Sequence, residues 1–240
     1  REHRAAREAA VLFDQTSFGK FVLKGPDAEA ALNWIAANDM SKPVGSLVYT
    51  QMLNDQGGIE CDLTCVRMAE NEYYSVTGTG FVTHDFDHIS KNIPAGMNAQ
   101  LVDVTSAYAV LSLFGPNARP ILQAITSDDI SNDLLPFGAS KTIDIAGCPV
   151  SALRVSYVGE LGWELHLPTE YPVAVYDAID HAGAIHGLRN AGYRAIETLR
   201  LEKGFGRGLL ISDPTIHRLK PGWGLRSNLT PIWPLRAVMR

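Results

Sequence analysis

Two runs of strand-forming residues, Val48 to Leu53 and Ile59 to Arg67, flank Asn54-Asp-Gln-Gly-Gly58, a segment with the composition of a hairpin turn. A third such run, Tyr73 to Thr77, follows after only a few residues. Connections this short have no room for a crossover helix, so neighbouring strands are expected to pair antiparallel. The chain therefore reads as α+β, with mainly antiparallel sheets and helices, and not as a doubly wound parallel sheet.

Further strands are expected at Phe21 to Lys24, Leu101 to Val104, Ala107 to Leu113, Thr142 to Ile145, Val150 to Ser156 and Trp163 to Leu167. Asp27 is placed to cap a helix whose apolar positions Ala30, Ala31, Trp34 and Ile35 recur at helical spacing. A second helix is expected to start at Pro116, after Phe114-Gly115, with others over Phe81 to Lys91, Tyr171 to His186 and Ala191 to Lys203. The opening Arg1 to Glu8 has an amphipathic, helix-like pattern and no initiator Met, which leads to the expectation that the chain is a fragment.

At 240 residues and 46% hydrophobic composition, the chain can build a sizeable core or two packed subdomains. A net charge of −5 and a pI near 5.8 provide no broad basic field, which argues against nucleic acid and anionic membrane as partners. The three cysteines, Cys61, Cys65 and Cys148, form no paired framework, and with no signal peptide in view a reducing interior is expected. Cys61 with Cys65 offers half a metal site, and His84 with His88 stand at i, i+4 spacing. Neither pair finds completing ligands in the sequence pattern, so no metal site is expected. Gly78-Thr-Gly80 lacks the third Gly and the Lys-Ser/Thr of a phosphate loop.

The densest polar segment is Tyr157-Val-Gly-Glu-Leu-Gly-Trp-Glu164, which puts a Tyr, two Glu and two Gly within eight residues, the composition of a ligand edge. Alternation from Trp163 places Glu164 on the face opposite the core, where a ligand carboxylate and a solvated strand residue are the two readings. Glu160 reads equally as a ligand contact or a water-exposed turn carboxylate. Gly159 and Gly162 suit a close backbone approach, a bulge or a plain turn.

Together with Leu12 to Lys20, Val48 to Asn54, Gly57 to Thr64, Asp103 to Ala109 and Leu199-Arg-Leu-Glu-Lys-Gly204, this segment resembles the tetrahydrofolate-binding aminomethyltransferase family typified by the glycine-cleavage T-protein. Within that family it is most similar to the folate-binding half of sarcosine and dimethylglycine dehydrogenases. The resemblance implies a folate-binding domain over residues 1–205, built of interleaved subdomains (roughly 1–45 with 140–205, and 46–139), one of them ferredoxin-like, around a central cavity. It implies transfer of one-carbon units to tetrahydrofolate, giving 5,10-methylenetetrahydrofolate. Partners would be folate, a one-carbon donor and a flavin oxidoreductase domain, with FAD held only in such an upstream domain. The expected setting is cytoplasmic, or the mitochondrial matrix in a eukaryote.

By position in the family's motifs, Glu164 resembles the carboxylate that meets the pterin edge and Tyr157 its wall or hydrogen-bonding partner. Asp62 resembles the catalytic Asp beside the folate N5 and N10, with Cys61 where T-proteins commonly carry a second Asp. Thr77 stands where they often carry Asn, followed by Gly78, and Tyr49 and Met52 are expected to line the pterin pocket. Ile196 stands where T-proteins have an Arg, which favours formaldehyde or an iminium as donor over an aminomethyl-lipoyl arm. Two further readings fit the same residues: a non-catalytic folate or small-ligand binding module, and a truncated, inactive fragment.

From about Gly206 the resemblance stops. Residues 213–223, read from a synonymous coding sequence two bases later, restore Ser-Asp-Asp-Thr-Pro-Ile-Glu-Ala-Gly-Leu-Gly, the family's continuation. Residues 206–240 are accordingly expected to be an out-of-frame tail, with a genuine divergent terminus as the alternative.

Overall fold

The computed structural model describes residues 1–205, so the expected out-of-frame tail lies outside the described residues. The elements run α1 (Glu2–Glu8), β1 (Ala10–Asp14), β2 (Gly19–Lys24), α2 (Ala28–Ile35), β3 (Leu47–Leu53), β4 (Ile59–Ala69) and β5 (Glu72–Thr77). They continue with α3 (Val82–Asn92), β6 (Gln100–Asp103), β7 (Tyr108–Phe114), α4 (Ala118–Gln123), β8 (Ser140–Ile145) and β9 (Cys148–Leu153). Last come β10 (Gly162–Pro168), α5 (Pro172–Gly183), β11 (Leu188–Asn190) and α6 (Tyr193–Glu202). No described helix is long and apolar enough to cross a membrane.

The chain divides into two compact units, one of Arg1–Ser17 with Thr105–Lys203 and the other containing Phe18–Val104. The boundaries at 45/46 and 139/140 suggested by the sequence give way to 17/18 and 104/105. The reason is pairing: β2 bonds to β5 and β6, which ties residues 18–45 to the second unit, and β7 bonds to β1 and β10, which ties residues from 105 onward to the first.

In the second unit the sheet order is β3-β4-β5-β2-β6, with every neighbouring pair antiparallel. Taken as β2-α2-β4-β5-α3-β6, the connectivity is ferredoxin-like, and β3 adds an outer strand through a hairpin to β4. That hairpin is closed by Asn54, whose Oδ1 accepts from the amides of Gln56 and Gly58. Phe21, Leu23, Met52, Cys61, Leu63, Cys65 and Tyr73 project to one face and pack on Ala28, Ala31, Leu32 and Ile35 of α2 and Ile89 of α3. Asp27 stands at the start of α2, but its carboxylate accepts from the Asn98 amide at 2.7 Å and makes no cap bond.

In the first unit the order is β11-β1-β7-β10-β9-β8. Only the β1–β11 pair is parallel, which departs from the antiparallel expectation and follows from the long excursion between Ala10 and its partner Leu188. Leu111, Leu113, Trp163, Leu165 and Leu167 form one apolar face with α4 and α5, while Val11, Phe13 and Phe114 pack on α1 and α6 on the other. Pro116 precedes α4 and is not its first turn, because Asn117 is the capping residue. Gly162 is required by close packing, since a Cβ there would lie 2.0 Å from the Leu113 carbonyl on the paired strand.

Candidate functional site

The sequence-expected residues divide between the units: Tyr49, Met52, Asp62, Thr77 and Gly78 in one, Tyr157, Glu160 and Glu164 in the other. In the second unit, strand alternation decides what each can do. Asp62 follows Cys61 on β4, so its side chain leaves the sheet on the side away from α2 and α3. Its cross-strand partner is Gln51, and Tyr49 pairs with Thr64 two residues further along, so all three polar side chains share that face. Lys20, buried, joins the same face through the Thr64–Val76–Lys20 row.

The Asp62 carboxyl is pushed up to about 6, chiefly because burial disfavours its charged form. Hydrogen bonds from Tyr49 and Gln51 oppose that rise, and the charge of Asp85 adds to it. Oδ1 of Asp62 is buried and has no hydrogen-bond partner among the described residues. A carboxyl that titrates near neutrality, with one oxygen unspent, is equipped to exchange a proton or to stand against a developing cation.

Met52 and Thr77 are not brought to that face. Met52 is fully buried in the helix-side core opposite Cys61, and the Thr77 hydroxyl donates to Asp85 of α3. Gly78 adopts ordinary extended backbone, φ −66°, and a Cβ there would meet only the Phe81 ring at 3.4 Å, so neither torsion nor crowding demands glycine.

In the first unit, Glu164 lies opposite Ser112 of β7, on the face that carries Phe13. Its side chain is only 13% exposed, and the group found against it among the described residues is the buried His166, with Nε2 3.5 Å from Oε2. Ser112 in turn donates to Gln15, so a polar strip of Gln15, Ser112, Glu164 and His166 crosses three strands. Burying a carboxylate without hydrogen-bond donors is costly, which makes Glu164 a candidate to accept them from a ligand.

Glu160 has another task. Arg7 of α1 donates to its Oε1 at 2.8 Å, and the same guanidinium reaches the Val158 carbonyl at 2.7 Å and Glu202 at 2.9 Å, fastening α1 to the 156–160 turn and to α6. Tyr157 is half-buried against the cluster of Phe13, Phe114 and Ile196. Arg200 of α6 is held by Glu197, whose hydrogen bond raises the pKa of the guanidinium. Gly159 makes the turn at φ 70°, beneath Lys203.

Gln51, Lys20, Ser112 and His166 are site neighbours that the motifs did not single out. His166 was within reach, since i, i+2 on a strand shares a face with Glu164. Gln51 depends on the hairpin register and Ser112 on long-range pairing.

Comparison with known proteins gives a consistent picture. Residues 1–216 match the model of the GCVT N-terminal domain. Human mitochondrial sarcosine dehydrogenase is 43% identical, over 85% of this chain and 24% of its own length. Human mitochondrial dimethylglycine dehydrogenase is 37% identical over the same shares. The crystal structure of the glycine cleavage system aminomethyltransferase T from Bartonella henselae superimposes with a TM-score of 0.75 at 27% identity, covering 86% of this chain and 54% of that one. The chain thus spans about a quarter of the length of the dehydrogenases it matches.

Proposed function

The chain belongs to the GCVT N-terminal domain family, and on that premise we propose that it binds tetrahydrofolate and transfers one-carbon units to it. The observation that carries the proposal is Asp62, a buried carboxyl held near neutrality with one oxygen left without a protein partner. Bound tetrahydrofolate would supply the two nitrogens between which the one-carbon unit is fixed. The residues present fit that group: Asp62 keeps a buried oxygen without a partner among the described residues, and Glu164 is a largely buried carboxylate beside an imidazole at 3.5 Å.

Glu164 accepts paired hydrogen bonds from the pterin edge, with Ser112 and His166 as neighbours that fix its position. Tyr157 contributes an aromatic wall on the same unit. Asp62 would accept a proton from a folate nitrogen as that nitrogen bonds to the one-carbon unit, whose oxygen leaves as water or whose amine leaves free, and in its charged form would stabilise a nearby cation. Tyr49 and Gln51 orient it through hydrogen bonds. Met52 and Thr77, which face the helices, have no place in this arrangement.

The two dehydrogenases are named for N-methylated amines, so the donor proposed here is formaldehyde or an iminium produced by oxidation of such an amine. That oxidation belongs to a flavin oxidoreductase partner, and a mitochondrial setting accords with the names of the relatives. An anaerobic calorimetric titration with tetrahydrofolate, alongside Glu164→Ala and Asp62→Asn, tests the reading. Saturable binding weakened by about 1–3 kcal/mol in Glu164→Ala is expected from loss of a buried hydrogen-bonding partner. Asp62→Asn should retain binding and lose about 10²–10⁴-fold in formation of 5,10-methylenetetrahydrofolate. Unchanged transfer in Asp62→Asn would reduce the chain to a binding module, and no saturable binding by the unmodified protein would overturn the proposal.

A further inference from the structure

Cys61 is the residue before Asp62, on the opposite, helix-covered face, and it belongs to a separate constellation. One ligand atom from each of Cys61, His84 and Asp85 lies within 4.8 Å of the other two. Asp85 is 1% exposed in the first turn of α3, and its Oδ2 accepts from Thr77. Its Oδ1 is 3.0 Å from Nδ1 of His84. The other ring nitrogen of His84 is 3.5 Å from Oε2 of Glu60, whose Oε1 is fixed by Asn54 Nδ2 at 2.7 Å.

We propose that Cys61, His84 and Asp85 form a site for a divalent metal ion of the zinc class, supported from behind by Glu60 and Thr77. The donor set is one sulfur, one imidazole nitrogen and one carboxylate oxygen, a mixture that suits zinc and selects against the all-oxygen preferences of magnesium and calcium. Three protein ligands leave a fourth position for water.

The surroundings are arranged as ligand supports require. A metal-bound imidazole characteristically gives its second N–H to a carboxylate, and Glu60, itself held by Asn54, occupies that place. Thr77 occupies one oxygen of Asp85 and leaves the other directed to the His84 nitrogen, so the two donors already face each other across the site. Glu60 and Asp85 put two carboxylates around the cluster, one beside each ring nitrogen of His84. A buried carboxylate without a fixed cation is costly, and a divalent ion removes that cost. His84, with its side chain 52% exposed, opens the site to solvent and provides the entry path.

Binding releases the Cys61 thiol proton to solvent as the sulfur–metal bond forms, with His84 entering as the neutral imidazole. No redox partner is needed.

The test uses the full 240-residue chain, freed of metal by chelation and titrated with Zn(II), and with Co(II) as the spectroscopic probe. One tightly bound equivalent is expected, with a thiolate-to-cobalt charge-transfer band in the near ultraviolet. Cys61→Ser should abolish the band. Because Cys61 is core, His84→Ala, at a half-exposed position, serves as the second variant and should weaken Zn(II) binding without loss of the circular dichroism of the fold. Glu60→Gln should cost about 10–100-fold in affinity, as loss of a supporting carboxylate does, and His181→Gln on α5 should cost nothing. Zn(II) affinity unchanged in His84→Ala, or a cobalt spectrum without the thiolate band, would overturn the proposal. Neither readout involves folate, so failure here leaves the transfer function untouched and failure there leaves the metal site standing.

Discussion

The two faces of the five-stranded sheet treat adjacent residues of β4 in opposite ways. Cys61, under the helices, is packed against Met52 and the α2–α3 layer, beside the linked polar groups of Thr77, Asp85 and His84. Asp62, one residue on, shares a face with Tyr49 and Gln51 and retains a buried oxygen that nothing in the described fold uses. The first unit repeats the contrast between a turn and the strand after it. Glu160 is tied to Arg7, while Glu164 on β10 has, among the described residues, an imidazole at 3.5 Å. Of the three carboxylates expected at the folate site, Glu160 is held by a guanidinium and fastens the fold, while Asp62 and Glu164 are the two proposed to meet folate.

The largest effect that separates the two faces is one of stability. Met52→Ala, on the helix side, should lower the unfolding free energy by about 2–5 kcal/mol through a cavity in a fully buried core, measured by urea denaturation. If it instead left stability unchanged and weakened folate binding, Met52 would belong to the ligand face after all.

Next in size is the pH dependence set by Asp62. Its folded carboxyl titrates at about 6, above the ordinary value of 3.8, so the folded state binds the extra proton between those values. Stability should therefore fall as pH rises from about 4 to about 6 and be level above that, the reverse of an ion-paired carboxylate. Asp62→Asn removes the charge, and at pH 7 it should stabilise the protein by on the order of 2–3 kcal/mol, flattening this part of the profile. A variant less stable than the parent at pH 7 would mean that the charged form of Asp62 is held by more than the hydrogen bonds of Tyr49 and Gln51.

The smallest expected effect is at Tyr49→Phe, where the lost hydroxyl is partly exposed and its removal should change stability by under about 1 kcal/mol. Its mark lies elsewhere: the hydrogen bond that holds the Asp62 carboxyl down is gone, so the carboxyl should titrate higher than in the parent by NMR. No upward movement would remove Tyr49 from the site.

Much of this was legible beforehand. The hairpin at Asn54 to Gly58 was marked by its Asn and paired Gly, and the position of Glu164 opposite the Trp163 face followed from alternation alone. Tyr49 and Met52 illustrate a signal present but not followed: three residues apart on one strand, they must point to opposite faces, so both could not line one pocket. Other features are out of reach of local pattern. The cross-strand register that sets Gln51 beside Asp62 is fixed across the turn, and the parallel pairing of Ala10 with Leu188 spans most of the chain. The unit boundaries follow from those pairings, and so fall at other positions than the family resemblance implied. The third candidate metal ligand was hidden for a similar reason, since Cys61 meets Asp85 only when α3 folds back over β4.

The pairing of β1 with β11 has a consequence for how the protein comes into being. Residues 18–104 form a continuous stretch whose strands and helices all find their partners within it, so it can fold as soon as it leaves the ribosome. In the other unit β1 precedes the 18–104 stretch, while its partners β7 and β11 follow it. Val11, Leu12 and Phe13 therefore wait for strand partners until that stretch has been made, and this apolar segment is the natural point of engagement for a chaperone.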